Sequence, residues 1–311
     1  NSHQPFHWLA EFYEIINDNG GFDVIIGNPP YVEYKKKVKS VAISDIYKLN
    51  NYNTIDCGNL YAYVIERGYN ITHLDSINGY IIPSASVCTP RMKKLCGLLV
   101  GKGYLWTSIW DERPSKLFDG VDQQLCIQLS IRNNKKVSYI TRMNHWVTDS
   151  RSFIFKKDVY YVQYDSSKTI AEVVPKIQNT IEKDILGKIQ LKSSALGSYI
   201  NKIESNTYIY YKNAGGRYWR LIKTFPTYFC SVTSNVSTTE KSFKTNSDYQ
   251  KSMVATLSSS LYYWFWRVVS NCRHLTNREI EAFPISNCIL MDKNLNSLCE
   301  KYEVSLKKNK K

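Results

Sequence analysis

No apolar run in this 311-residue chain approaches the roughly 18 residues that cross a bilayer, so no membrane-spanning helix is expected. The eight cysteines are scattered and include no Cys-x-x-Cys pair, the pattern of reduced thiols in a cytoplasmic protein. Five histidines (3, 7, 73, 145 and 274) show no metal-ligand spacing, so no metal is expected. The first residues, Asn1 to Trp8, lack the basic stretch followed by an apolar one that marks a secretory signal. No Ser/His/Asp set offers itself for nucleophilic catalysis. What is present is 43% hydrophobic and 14% aromatic, enough to fill two cores.

Acidic residues are short only in the second part of the chain. Residues 1–133 hold 13 Lys+Arg and 13 Asp+Glu, whereas residues 134–311 hold 28 and 14. The whole net charge of +14 therefore lies after residue 133. Part of it is the terminal run Lys307-Lys308-Asn309-Lys310-Lys311, which reads as a frayed end. A neutral first part followed by a basic second part suits an enzyme carrying a polyanion-binding module.

Phe22-Asp23-Val24-Ile25-Ile26-Gly27 reads as a strand buried on both faces of a parallel sheet. It runs directly into Asn28-Pro29-Pro30-Tyr31. The two prolines fix the backbone and supply no N–H, so the sheet ladder stops there. The product is a rigid loop at the C-terminal end of a parallel strand, where open α/β sheets bind ligands. Lys35, Lys36, Lys37 and Lys39 follow. They are either a solvated loop or phosphate contacts beside the site.

This segment resembles the catalytic loop of amino-methyltransferases that use S-adenosylmethionine, in which Asn/Asp-Pro-Pro-Tyr/Phe recurs. The resemblance implies a role for each residue. The exocyclic amine of adenine is a poor nucleophile because its lone pair is delocalised into the ring. The Asn28 side-chain oxygen and the Pro29 carbonyl would each accept one amine hydrogen, drawing the nitrogen towards tetrahedral geometry. Pro30 would stiffen the loop, and Tyr31 would stack on the base once it has left the duplex.

Further along stand a helix from Leu60 to about His73 capped by Gly58-Asn59, the strand Asn78-Gly79-Tyr80-Ile81-Ile82-Pro83, a helix over 90–100, and strands at 104–110 and 124–131. In that order, "GGFDVIIGNPPYV", "GNLYAYVIERG", "NGYIIPSAS", "RMKKLCGLL" and "RPSKLFDGVDQQLCIQLSI" resemble the second half of the catalytic domain of a bacterial adenine-N6 DNA methyltransferase. The resemblance is nearest to the fused restriction–modification enzymes of type IIG. It implies an α/β fold, the second half of a Rossmann-like class I methyltransferase sheet over residues 1–133, and a target-recognition domain over 134–311. It also implies that Phe118 packs against the flipped adenine, although the same residue could be an ordinary core aromatic. Such enzymes carry a glycine-rich cofactor loop and a following acidic residue before Asn-Pro-Pro-Tyr, and neither precedes Asn28 here. The expectation is a C-terminal piece of a longer enzyme, with most of the S-adenosylmethionine site, and any endonuclease, contributed by residues outside it.

In the second part, β-rich stretches are expected at 137–141, 152–155 and 159–164. A helical spacer is expected over 170–191, with Ile170, Val174, Ile177, Ile181, Ile185 and Ile189 on one stripe. Residues 207–232 interleave aromatics with cations, among them Arg217 and Arg220. That pattern suits nucleic acid, and equally an aromatic β core with exposed cations. One long core helix is expected over 253–269. The segment 267–285 resembles the end of the family's target-recognition domain, and Arg267, Arg273, His274 and Arg278 could face double-stranded DNA. Two other readings compete: an RNA or protein-glutamine methyltransferase, and a DNA-binding specificity protein without catalysis.

Overall fold

In the computed structural model, residues 7–154, 159–165, 170, 172–191, 194–200, 204–214, 221–227 and 239–308 are described. The chain divides into two compact units, one up to Asn179 and one from Thr180 onward.

The first unit is built on a six-stranded mixed sheet. Its strands are β1 (Phe22–Gly27), β2 (Thr72–Pro83), β3 (Gly103–Trp110), β4 (Leu125–Arg132), β5 (Val137–Asn144) and β6 (Val162–Tyr164). Their order across the sheet is β1-β2-β4-β3-β5-β6. β1 runs parallel to β2, and β3 runs parallel to β5, while β4 is antiparallel to both β2 and β3. The C-terminal ends of β1, β2, β3 and β5 and the start of β4 consequently meet at one edge. That edge collects Asn28, Pro83, the loop 111–124 and Trp146.

β1 departs from the expectation of a doubly buried strand. It lies at the end of the sheet with only β2 beside it. Val24 and Ile26, on one face, are 50% and 83% exposed, because no described residue covers them. Ile25 faces the opposite way, towards helix α1 (Leu60–Asn70) near Gly68.

Helix α1 buries Tyr61, Ile65 and Tyr69, a stripe at four-residue spacing. Val64, on the other side of the helix, is exposed. Asn59 precedes the helix in extended conformation and makes no side-chain cap. Its amide donates instead to Glu33. Helix α2 (Lys93–Gly101) buries Leu95 and Leu99.

The first unit continues past residue 133, where the charge balance changes. β5 pairs along β3 and buries Ile140 and Met143, and Val162–Tyr164 pairs along β5, so both strands belong to the sheet. The segment 152–155, expected as strand, instead begins within a 3-10 turn over Thr148–Phe153. The expected helical spacer is shorter than its stripe. Ile170, Val174 and Ile177 are buried in the first unit without forming a helix, and α3 spans only Thr180–Leu191. Pro175 lacks the N–H a continuing helix needs.

The second unit holds a three-stranded antiparallel sheet of β7 (Thr207–Lys212), β8 (Ile222–Lys223) and β9 (Glu240–Thr245), with β7 central. The expected single helix over 253–269 is two helices, α4 (Ser247–Leu257) and α5 (Ser260–Val269). Ser258 and Ser259 break it, and the Ser259 hydroxyl accepts from Tyr262 N at 3.2 Å to start α5. A short helix α6 (Asn277–Glu281) and the C-terminal α7 (Lys293–Lys308) complete the unit.

Candidate active site

Asn28 stands exposed at the end of β1, Pro29 is buried behind it, and Tyr31 is half-buried. The Tyr31 hydroxyl lies 2.6 Å from Asn28 Oδ1, to which it donates, and 2.9 Å from the Ile81 carbonyl. A phenol has one hydrogen, so the two acceptors compete for it. The Tyr31 ring meets Tyr61 of α1 edge-on at 6.3 Å. Burial, with the Cys126 thiol adding to it, pushes the Tyr31 phenol up to about 12. It therefore stays a donor at neutral pH.

The chain after the loop is tied down over its next three residues. Leu60 N donates to Val32 O, and Tyr34 N donates to Gly58 O, each at 2.9 Å. Glu33 forms an ion pair with Arg91, whose Nε also donates to Cys57 O at 2.7 Å. Gly58 closes this junction with φ +65°. A Cβ there would sit 2.5 Å from the Arg91 guanidinium, so glycine serves both the backbone and the close approach. Beneath it, buried Glu66 of α1 accepts from Thr54 N, Thr54 Oγ1 and Asn53 N, at 2.9, 2.7 and 2.9 Å. Burial raises the Glu66 carboxyl, and these hydrogen bonds outweigh it, leaving the group below its ordinary range. Lys35, Lys36 and Lys37 project into solvent just beyond.

Phe118 comes to the same edge of the sheet from the β3–β4 loop. It lines a cavity of about 200 Å³ with Ile81, Leu117, Ile127, Trp146, Arg151 and Ile154. Ile81 joins this cavity to the Asn28 loop: its side chain lines the cavity and its carbonyl faces the Tyr31 hydroxyl. Asp111 anchors the base of the β3–β4 loop by accepting from Glu112 N at 2.8 Å and Gln124 Nε2 at 3.1 Å. Trp146, Arg151 and the Glu33–Arg91 tie carried no sequence signal, since each acts through contacts distant in the chain.

In the second unit, Arg217 and Arg220 lie outside the described residues. β7 alternates: Ile209 and Tyr211 are buried, while Tyr208 and Tyr210 are partly exposed. The buried face is the aromatic β core that was one of the two expectations. Arg267 is exposed near the end of α5, and Arg273 and His274 follow on a loop organised by Asn271. Asn271 Oδ1 accepts from Arg273 N and His274 N, at 2.9 and 3.2 Å. Trp266 Nε1 donates to His274 O at 3.1 Å. Arg278 is paired with Glu279 in the same helix.

No group of three or more His, Cys, Asp or Glu that could hold a metal occurs among the described residues. No described helix is long and apolar enough to cross a membrane. Among the described residues, too, no strand runs into a glycine-rich turn and an acidic strand end of the kind that holds a nucleoside. The described residues do not make up a pocket for S-adenosylmethionine.

Residues 1–110 match the family described as Eco57I restriction-modification methylase, a distant homology. The chain is 27% identical over 189 residues to the type II restriction enzyme and methyltransferase RM.Eco57I of Escherichia coli, covering 59% of this chain and 18% of that protein. It is 28% identical over 159 residues to a putative type II restriction enzyme and methyltransferase, RM.MjaORFECS2P, of Methanocaldococcus jannaschii, covering 50% and 13%. The chain thus spans less than a fifth of either relative. Among solved structures, the DrdV–DNA complex aligns over 46% of this chain and 17% of its own, with 13% identity and a TM-score of 0.35.

Proposed function

We propose that this chain carries the acceptor-base part of an adenine-N6 DNA methyltransferase site, together with residues that hold the duplex. The observation that carries this reading is the exposed Asn28 amide on a buried proline at the ligand-binding edge of the sheet, in a segment matching restriction-modification methylases. Asn28 Oδ1 has two lone pairs. One faces the Tyr31 hydroxyl, and the other is available to an amine hydrogen. The Pro29 carbonyl takes the second amine hydrogen, Tyr31 offers a ring face to the base, and Phe118 closes the far side. Pro30 keeps this arrangement rigid before the base arrives.

S-adenosylmethionine supplies an electrophilic methyl group in methylases of this kind. The work of the chain's own residues is to extract the adenine, fix its amine and exclude water. Lys35, Lys36 and Lys37, exposed just after the loop, would meet phosphates beside the extruded base. The basic part after residue 133, with Arg267 near the end of α5 and Arg273 and His274 on the loop that follows, supports duplex binding. Arg278 supports it less directly, because Glu279 already neutralises it.

A second reading, a DNA-binding specificity protein without catalysis, is favoured by the lack of a cofactor loop among the described residues. The two separate on one test: expression of the complete reading frame with and without Asn28→Ala, followed by sequencing of host DNA for N6-methyladenine. Methylation at one motif that disappears in the variant supports the first reading. No methylation from either supports the second.

A further inference from the structure

We propose that Arg142 and Asn144 read the major-groove edge of one G·C pair in the DNA, from a polar cleft at the end of β5. This rests on the methyltransferase reading and adds to it a base contact on the sheet that carries Asn28, outside the second unit. The cleft encloses about 320 Å³ and is lined by Arg142, Asn144, Tyr160, Gln178 and Asn179. Its walls are amides, a guanidinium and a phenol, unlike the largely apolar cavity beside Phe118. Asn144 ends β5, which runs parallel to β3, so the cleft stands at the same edge of the sheet as the Asn28 loop.

A bulge in β5 sets both side chains. Ile140 pairs with Thr107 and Met143 with Ile109, so Thr141 and Arg142 together stand opposite Ser108. Bulges of this kind re-aim side chains beside functional sites. The Thr141 hydroxyl accepts from Ile109 N at 3.1 Å, in place of a ladder carbonyl. Asn144 Nδ2 donates to the Ile109 carbonyl and to Thr141 Oγ1, each at 2.9 Å. A carbonyl can only accept, so the amide orientation is fixed and Oδ1 is the amide atom left to meet an occupant. Arg142 is exposed, and its Nη1 donates to Gln178 Oε1 at 2.9 Å. Its Nε and Nη2 edge remains, and no carboxylate among the described residues pairs with it.

The cleft thus offers a two-donor fork and a fixed acceptor. A G·C pair shows the complementary order in the major groove: guanine N7 and O6 accept, and cytosine N4 donates. An A·T pair places the adenine N6 donor where the fork needs an acceptor. A phosphate would satisfy the fork but bring only acceptors to Asn144 Oδ1, which favours a base. β1 and β5 lie four strand spacings apart, about 19 Å, so the pair that is read lies within about six base steps of the target adenine.

The test uses the complete reading frame. Host DNA sequenced for N6-methyladenine should give a motif with a G·C pair inside that window. Arg142→Ala should relax that one position, cutting discrimination there about tenfold, and leave the rest of the motif unchanged. In vitro, 7-deazaguanine at the position removes the N7 acceptor. It should cost the unaltered protein about tenfold in kcat/KM and cost Arg142→Ala nothing further. A motif that Arg142→Ala leaves unrelaxed, a uniform loss at every site, or a motif without a G·C pair in the window would overturn the proposal. Should Arg142→Ala not fold, the unaltered protein decides: 7-deazaguanine is placed at each guanine of the window in turn, and no loss at any of them overturns the contact. Failure of the methyltransferase reading looks different, because the unaltered protein then methylates no adenine.

Discussion

The Tyr31 hydroxyl donates to the side-chain oxygen of Asn28 at 2.6 Å, so the residue expected to stack on the base also sets the rotamer of the residue that accepts from its amine. Tyr31→Phe separates these roles. It keeps the ring face and removes the hydrogen bond, a loss of about 0.5–1.5 kcal/mol, so kcat should fall about 3- to 10-fold with KM for DNA nearly unchanged. Tyr31→Ala should raise KM as well. Steady-state methylation assays on both variants check the split.

Gly58→Ala tests the junction behind the loop. The new side chain meets a left-handed backbone and the Arg91 guanidinium, and it loosens the tie from Arg91 to Glu33 and Cys57. A stability loss of about 1–3 kcal/mol is expected in urea unfolding, with lower methylation at saturating DNA. An unchanged midpoint would show that the junction is slack.

Glu66 predicts an acid limb in stability. Its carboxyl sits below the ordinary value of 4.5 in the folded protein, so its contribution is complete above that value. The contribution is lost as pH falls through the folded value, because the unfolded chain then binds the proton more readily. Glu66→Gln presents an amide to the donors on Asn53 and Thr54. It should lower stability by about 1–3 kcal/mol at neutral pH and flatten the limb below about pH 4.5. Thermal melts between pH 3 and 7 measure both effects.

Duplex affinity should depend steeply on salt. Each phosphate contact contributes about 0.9 to the slope of log K against log salt. Arg267→Ala combined with Arg273→Ala should reduce that slope by about 2 if both residues meet phosphates. Arg278→Ala should instead destabilise the fold, since it leaves buried Glu279 with its Thr276 hydrogen bonds but without its cationic partner. Fluorescence anisotropy across a salt series, paired with melting curves, separates the two effects.

The local features of the site were legible in the sequence because they depend on residue type at fixed spacing. Val24 to Gly27 followed by two prolines specifies a strand that must stop, and it does. What could not be read depends on distant neighbours. Nothing in Val24 or Ile26 says that β1 lies at the end of the sheet. The helical stripe through Ile170, Val174 and Ile177 is real as burial and misleading as helix, because Val173, Pro175 and Lys176 between them are buried as well, so the segment has no exposed helical face. Trp146 follows a strand whose partner, β3, is more than 30 residues away, so its arrival beside Phe118 is a property of the topology alone.

The central claim is that Asn28 holds the adenine amine during methyl transfer. Its most direct test is the complete reading frame carrying Asn28→Ala, assayed for N6-methyladenine in host DNA and for duplex binding in the same preparation. The account predicts that methylation at the native motif vanishes while affinity for the duplex stays within a few-fold. Methylation that persists in the variant would contradict it.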